Sequence, residues 1–168
     1  MAETSESAPP ANEERLRAAI GPRADYYLRH WREADAKRKM YDWNWAACFA
    51  NAYWLAYRKM WLGLVLFVIA NIAVTAIGMV VPALAKYTLV MAIGLTFVTG
   101  SWGNGFYRRK IEKMAASDLP TEQLGKKGGT SPIALVIALV LSAALVALAV
   151  KPVLQQIQAA RAARLHSP

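Results

Sequence analysis

The stretch Trp43-Asn44-Trp45-Ala46-Ala47-Cys48-Phe49-Ala50-Asn51-Ala52-Tyr53-Trp54-Leu55-Ala56-Tyr57-Arg58-Lys59-Met60-Trp61 decides how this chain is read. Four of the six tryptophans fall inside it, and an uncharged apolar span begins where it ends. Taken as one continuous helix, it places Asn44, Asn51 and Arg58, spaced by sevens, in a wedge about 40° wide. The remaining circumference is apolar or aromatic. Trp and Tyr rings settle at headgroup level, and Arg58–Lys59 can snorkel or meet anionic lipid there. Two readings follow: an interfacial anchor that orients the first span, or a polar seam that docks a partner helix or a lipid headgroup.

Working outward toward the C-terminus, residues 60–81 carry no charge and are long enough to cross a hydrocarbon core of ~30 Å. Asn71 lies near the middle of this span with Thr75 one turn on, which marks them as a candidate intramembrane polar contact, either interhelical glue or a pathway. A short turn, Pro82 to Lys86, leads to a second span over 87–102, rich in Gly, Ser and Thr. The glycines at 100, 103 and 105 read as an exit turn, followed by a polar cytoplasmic linker over 103–130. A third span, 131–150, carries Ala134, Ala138 and Ser142 as a small-residue ridge and is bounded by Lys151-Pro152. The tail, 151–168, reads as a short amphipathic helix.

Toward the N-terminus, residues 1–14 are polar, acidic and proline-bearing, the composition of a disordered tail. They lack the basic and apolar regions of a secretory signal. Residues 15–42 form an amphipathic helical lead-in. Asn12 is placed to cap a first helix ending at Gly21-Pro22, and a charged helix from Arg23 to Met40 has Ala24, Tyr27, Leu28 and Trp31 as its apolar edge. That edge can rest on an anionic leaflet or pack on the chain's own hairpin. Segment 43–59 is then the interfacial aromatic helix.

Trp43-Asn44-Trp45-Ala46-Ala47 and Trp54-Leu55-Ala56-Tyr57-Arg58-Lys59-Met60 resemble the signature of a bacterial membrane family, domain of unknown function 2628. Tyr26-Tyr27 and the later Gly103-Asn104-Gly105-Phe106-Tyr107 extend the resemblance over roughly residues 25 to 115. It implies architecture and carries no established activity.

Hydrophobic residues make up 56% of the 168, with a mean hydropathy of +0.22 and a net charge of +9. This predicts an all-α integral membrane protein: three transmembrane helices preceded by amphipathic and interfacial aromatic-rich helices. In a soluble protein such charge would suggest nucleic acid; here the basic residues flank apolar spans, so no nucleic-acid partner is expected. The basic N-terminal flank and the six basic residues of 103–130 place both inside, and the Pro82–Lys86 turn, with one lysine, outside. The expected setting is a bacterial inner membrane, multi-pass, with the N-terminus cytoplasmic and the C-terminus periplasmic.

Between Asp42 and Glu112 there is neither an acidic residue nor a histidine. The spans therefore lack paired carboxylates, a His relay and a metal-ligand set, and Cys48 has no nearby base within them. No enzyme activity, catalytic residue, cofactor or metal is expected. The expected role is an accessory or scaffold protein that binds a membrane partner or anionic lipid through an aromatic and basic cytoplasmic collar. That collar comprises Trp43, Asn44, Trp45, Asn51, Trp54, Tyr57, Arg58, Lys59, Asn104, Tyr107 and Arg108. The alternative is a subunit of a homo-oligomeric channel or transporter using Asn71 and Thr75.

Overall fold

A computed structural model describes residues 11–39 and 43–165, and all the regular structure among them is helical. Helix α1 spans Ala11–Ile20, with Glu13 and Glu14 in its first turn, where the helix dipole favours acids. Residues 11–14 are thus helical and not part of a disordered tail; residues 1–10 lie outside the described set. Gly21, at φ 78°, ends the helix with its N–H on the Arg17 carbonyl at 2.9 Å, a backbone turn that glycine makes without steric cost.

Helix α2, Ala24–Ala36, buries Ala24, Tyr27, Leu28 and Trp31, the four residues of the expected apolar edge. They face protein and not a leaflet. The helix stops short of the expected Met40, turned by Arg38 in the left-handed region; residues 40–42 lie outside the described set.

Helix α3, Trp45–Tyr57, is broken at Asn51, whose φ of 20° and ψ of −95° are not helical. The unbroken helix expected over 43–61 is therefore not what forms. The chain turns again at Arg58–Met60. There the Lys59 N–H reaches the Ala56 carbonyl at 3.0 Å and the Met60 N–H the Leu55 carbonyl at 2.8 Å, with Lys59 left-handed at φ 54°. This is the paired-bond helix stop that usually takes glycine at the left-handed position.

Helix α4, Trp61–Val80, follows the expected first span and buries none of its residues. A single turn, α5 (Pro82–Ala85), occupies the expected corner. Helix α6 runs unbroken from Thr88 to Ala115, so the glycines at 100, 103 and 105 make no exit turn. Instead of a turn-rich linker, residues 103–130 supply the end of α6 and a further helix, α7 (Thr121–Lys127), whose Leu124 is fully buried.

Helix α8 extends from Pro132 to Leu165 and continues through Lys151 and Pro152 instead of ending there. One internal proline removes one backbone bond and need not end a helix of this length. Residues 166–168 lie outside the described set. The half-buried face of α8 includes Ala134, Ala138 and Ser142, and α3 is the helix packed most heavily along α8. By length and apolarity, three helical stretches of the described chain, within α4, α6 and α8, are able to cross a membrane.

Helices α1, α2, α3, α7 and the C-terminal half of α6 form a compact head. Its core contains Ile20, Tyr27, Leu28, Trp31, Trp54, Tyr107, Ile111 and Leu124. Arg15 ties α1 to the end of α6 and the loop after it by donating to the carbonyls of Ala115, Ser117 and Leu119 at 2.6–2.9 Å.

Candidate functional site

The start of α3 is fastened to α6 through one side chain. Asn44 caps α3: its Oδ1 accepts the Ala47 N–H at 2.9 Å, the bond that satisfies an otherwise orphaned helix donor. Its Nδ2 donates to Asn104 Oδ1 at 2.6 Å, and its backbone N–H donates to the Gly100 carbonyl at 2.9 Å. Both asparagines are buried. Such an approach requires α6 to lack side chains on this face. A Cβ on Gly100 would stand 2.8 Å from Cys48 Cβ, and one on Gly103 would stand 3.2 Å from Ala47 Cβ and 3.3 Å from the Trp54 ring. The glycines are here for close packing, not for a turn.

At the other end of α3 sits Arg58, only 3% exposed. Its guanidinium carbon lies 4.6 Å from the Tyr27 ring centre, 5.1 Å from Tyr107 and 5.5 Å from Tyr57. Nη1 makes a long bond of 3.4 Å to the Tyr107 hydroxyl, and Nε is buried without a hydrogen-bond partner. Among the described residues no carboxylate pairs with it. What offsets its charge is the negative end of the α3 dipole and three aromatic faces. Burial pushes the Tyr27 hydroxyl above its ordinary pKa, with the Arg58 charge pulling the other way.

The carbonyls left over at this helix end are also capped by a cation: Lys110 Nζ donates to Arg58 O and Lys59 O, both at 3.0 Å. Lys59 Nζ reaches the Lys126 carbonyl at 2.7 Å, and the Ser131 N–H reaches the Tyr57 carbonyl at 2.8 Å. Both ends of α3 are thus sewn to α6, α7 and the start of α8.

This redistributes the collar residues. Asn44, Trp54, Arg58, Asn104 and Tyr107 are interior and offer no docking surface. Asn51 is half-buried at the break, its Oδ1 accepting the adjacent Ala52 N–H at 2.6 Å, and does not align with Asn44 and Arg58. Trp43, Tyr57 and Lys59 are half-buried. Trp45, 63% exposed, stacks on Phe49, 77% exposed, with ring centres 5.6 Å apart. Arg108 makes a bidentate pair with Asp35 at 2.7 and 2.9 Å and also bonds Glu112; the pairing with Arg108 holds the Asp35 carboxyl below its ordinary pKa. Asn71 and Thr75 bond within α4, to the carbonyls of Phe67 and Asn71.

Sequence reasoning missed the roles of Gly100, Gly103 and Lys110. The small-residue spacing along α6 and the family element that opens at Gly103 hinted at the first two, but not at the approach of α3. Among the described residues, no three His, Cys, Asp or Glu side chains converge as a metal site would require.

Tyr27, Asn44, Arg58, Asn104 and Tyr107 come from three separated stretches, and the structure gathers them into an interior network with two centres, Asn44 on Asn104 at the start of α3 and Arg58 on Tyr27 and Tyr107 at its end. Neither a curated protein nor a solved structure matches the chain. A family model does match, over residues 12–113, which covers α1 through nearly all of α6 and every residue of that network; the chain belongs to the family described as protein of unknown function (DUF2628).

Proposed function

We propose that this chain is a multi-pass protein of a bacterial inner membrane, with α4, α6 and α8 spanning and the helical head on the cytoplasmic side. It acts there without catalysis, as an accessory or scaffold that holds a membrane partner or anionic lipid against the head. The observation that carries this reading is the division of the molecule. Signature residues are consumed in building a rigid head, while α4 buries nothing and the head leaves an aromatic and basic rim. The contacting residues are then the exposed Trp45–Phe49 pair and Lys59, with Arg108 at the edge. Basic residues concentrated in and beside the head favour the cytoplasmic orientation. The channel alternative would use Asn71 and Thr75, and both side chains already bond within their own helix.

The test is a photocrosslinking residue at Trp45 in membranes, with one at Met79, 80% exposed at the far end of α4, as control. Enriched capture of one partner or of anionic lipid at Trp45 supports the scaffold role. Equal capture at both sites overturns it. Orientation is tested in a Cys48→Ala background. A cysteine in the 82–86 turn should react with an impermeant thiol reagent outside the cell, and one at Lys126 should not. The reverse labelling pattern would invert the topology.

A further inference from the structure

Between the first half of α4 and the middle of α6 runs an apolar groove of about 650 Å³. Gly63, Phe67 and Ala70 line one side, and Leu95, Val98 and Phe106 the other. Along α4 it reaches from Met60 to Ala70, roughly 15 Å at the helical rise. That is about half of a ~30 Å hydrocarbon core, the depth of a single leaflet.

The head end of the groove is cationic. Lys59 and Lys110 line it, and no carboxylate does. An ammonium carries three donors. Lys110 uses two on the carbonyls of Arg58 and Lys59, and Lys59 uses one on Lys126, which leaves donors on both for an anion. Arg58 lies behind them, buried and outside the lining, and among the described residues no ion pair involves any of the three. An apolar tail one leaflet deep below two lysines that no carboxylate pairs with is the complement of an amphiphile with a negative head. The α8 helix of a second copy could cover the walls, but residues 132–150 contain no acidic residue to meet the lysines.

We infer that this groove holds one acyl chain of an anionic glycerophospholipid, with its phosphate at Lys59 and Lys110. The inference rests on α4 and α6 spanning the bilayer, and it narrows the proposed anionic-lipid contact to one site. The full chain is reconstituted into vesicles of phosphatidylcholine and phosphatidylglycerol in equal amounts and checked for insertion by alkaline extraction. It is then released into detergent for native mass spectrometry. Wild type should retain one phosphatidylglycerol in preference to phosphatidylcholine. Lys59→Gly keeps the left-handed corner, which glycine favours, and should lower that preference roughly fivefold; adding Lys110→Gln should lower it roughly thirtyfold. Ala70→Phe fills the groove at mid-depth without touching either lysine and should abolish retention.

Equal retention of both lipids by wild type, or unchanged retention by Ala70→Phe, overturns the site while leaving the membrane reading intact. So does a second copy of the chain retained in place of lipid. Failure of the wild type to insert overturns both. Because Lys110→Gln also removes a helix cap, Lys59→Gly and Ala70→Phe decide the outcome.

Discussion

The head and the arms of this molecule solve opposite problems. The residues of the head core are buried side chains from five helices, and its helix ends are closed by Asn44, Arg15 and Lys110. The α4 arm buries nothing, and its polar side chains, Asn71 and Thr75, turn back onto their own backbone. One half is therefore held by a buried core that joins distant stretches, and the other by its own helix bonds and by half-buried contacts of α4 with α3 and α6. An apolar helix that buries none of its residues in protein needs a medium as apolar as itself. The arms thus leave to their surroundings what the head supplies internally, and substitutions should be felt in the head and tolerated in the arms.

The largest expected difference is at two glycines of the same helix. Gly100 has Cys48 Cβ 2.8 Å from the place its own Cβ would take, whereas Gly94 has nothing within 4 Å. Gly100→Leu must part α3 from α6, break the Asn44 bond to the Gly100 carbonyl, and cost about 3 kcal/mol by overpacking. Gly94→Leu should leave thermal unfolding of the detergent-solubilised protein unchanged or raise it slightly, because leucine is the better helix former. Equal effects at the two positions would erase the contrast between head and arm.

A smaller effect separates two asparagines. Asn44→Ala removes a helix cap and a buried side-chain bond, together about 2 kcal/mol. A double-mutant cycle with Asn104→Ala should show coupling, since the two side chains touch. Asn71→Ala loses only an internal bond and should cost less than about 0.5 kcal/mol. If Asn71→Ala proves the more damaging, the Asn71 side chain has a partner beyond its own helix.

These asparagines also show how far the sequence could be read. Apolar length and composition revealed the helices long and apolar enough to span a membrane, and the edge Ala24, Tyr27, Leu28 and Trp31 was visible from its spacing. Hidden from the sequence were the places where one residue type serves two purposes. Glycines at 100, 103 and 105 carry a turn's composition, but close approach of α3 demands two of them inside a helix. Asn51 is compatible with a helix and with a break, so alignment by sevens could not detect the break. Arg58 and Lys59 look like a snorkelling pair, yet the left-handed turn at Lys59 sends Arg58 inward among tyrosines while Lys59 remains at the rim. Which of two adjacent cations is buried depends on backbone geometry that the residue types do not encode.

Arg58 itself sharpens the point. Three aromatic rings and a helix end are arranged around a flat, weakly hydrated cation. Arg58→Lys keeps the charge but replaces the stacking plane with a strongly hydrated ammonium, and should cost about 1 kcal/mol. Insertion and orientation, which depend on charge near the span, should not change. The measurement is thermal unfolding beside topology labelling. An unchanged melting temperature would mean that the aromatic enclosure contributes nothing to the head.

The smallest effect is electrostatic and lies at the surface of the head. Arg108 grips Asp35 through two parallel bonds, with Asp35 60% and Arg108 30% exposed in their side chains. That grip lowers the folded-state pKa of the Asp35 carboxyl. The contribution to stability is therefore fully present above the ordinary carboxylate pKa of about 4. It is lost as the pH falls through the lowered folded value, where the folded form must also take up the proton. Solvent screening keeps the amount below about 1 kcal/mol, and added salt should shrink it further. Asp35→Asn should flatten the acid limb of the head's stability without altering its neutral plateau by more than that. Residues 61–99 carry Lys86 as their one charged side chain, so their helicity should not respond to acid over the same range. Near-ultraviolet circular dichroism, to which the buried Trp31 and Trp54 contribute, reports mainly the head, and far-ultraviolet dichroism reports helicity throughout. A near-ultraviolet change on acidification that precedes any far-ultraviolet change is the expected order, since the head alone has carboxylates to protonate. Simultaneous loss of both signals would show that the arms depend on the head for their helical structure, against the separation argued from burial.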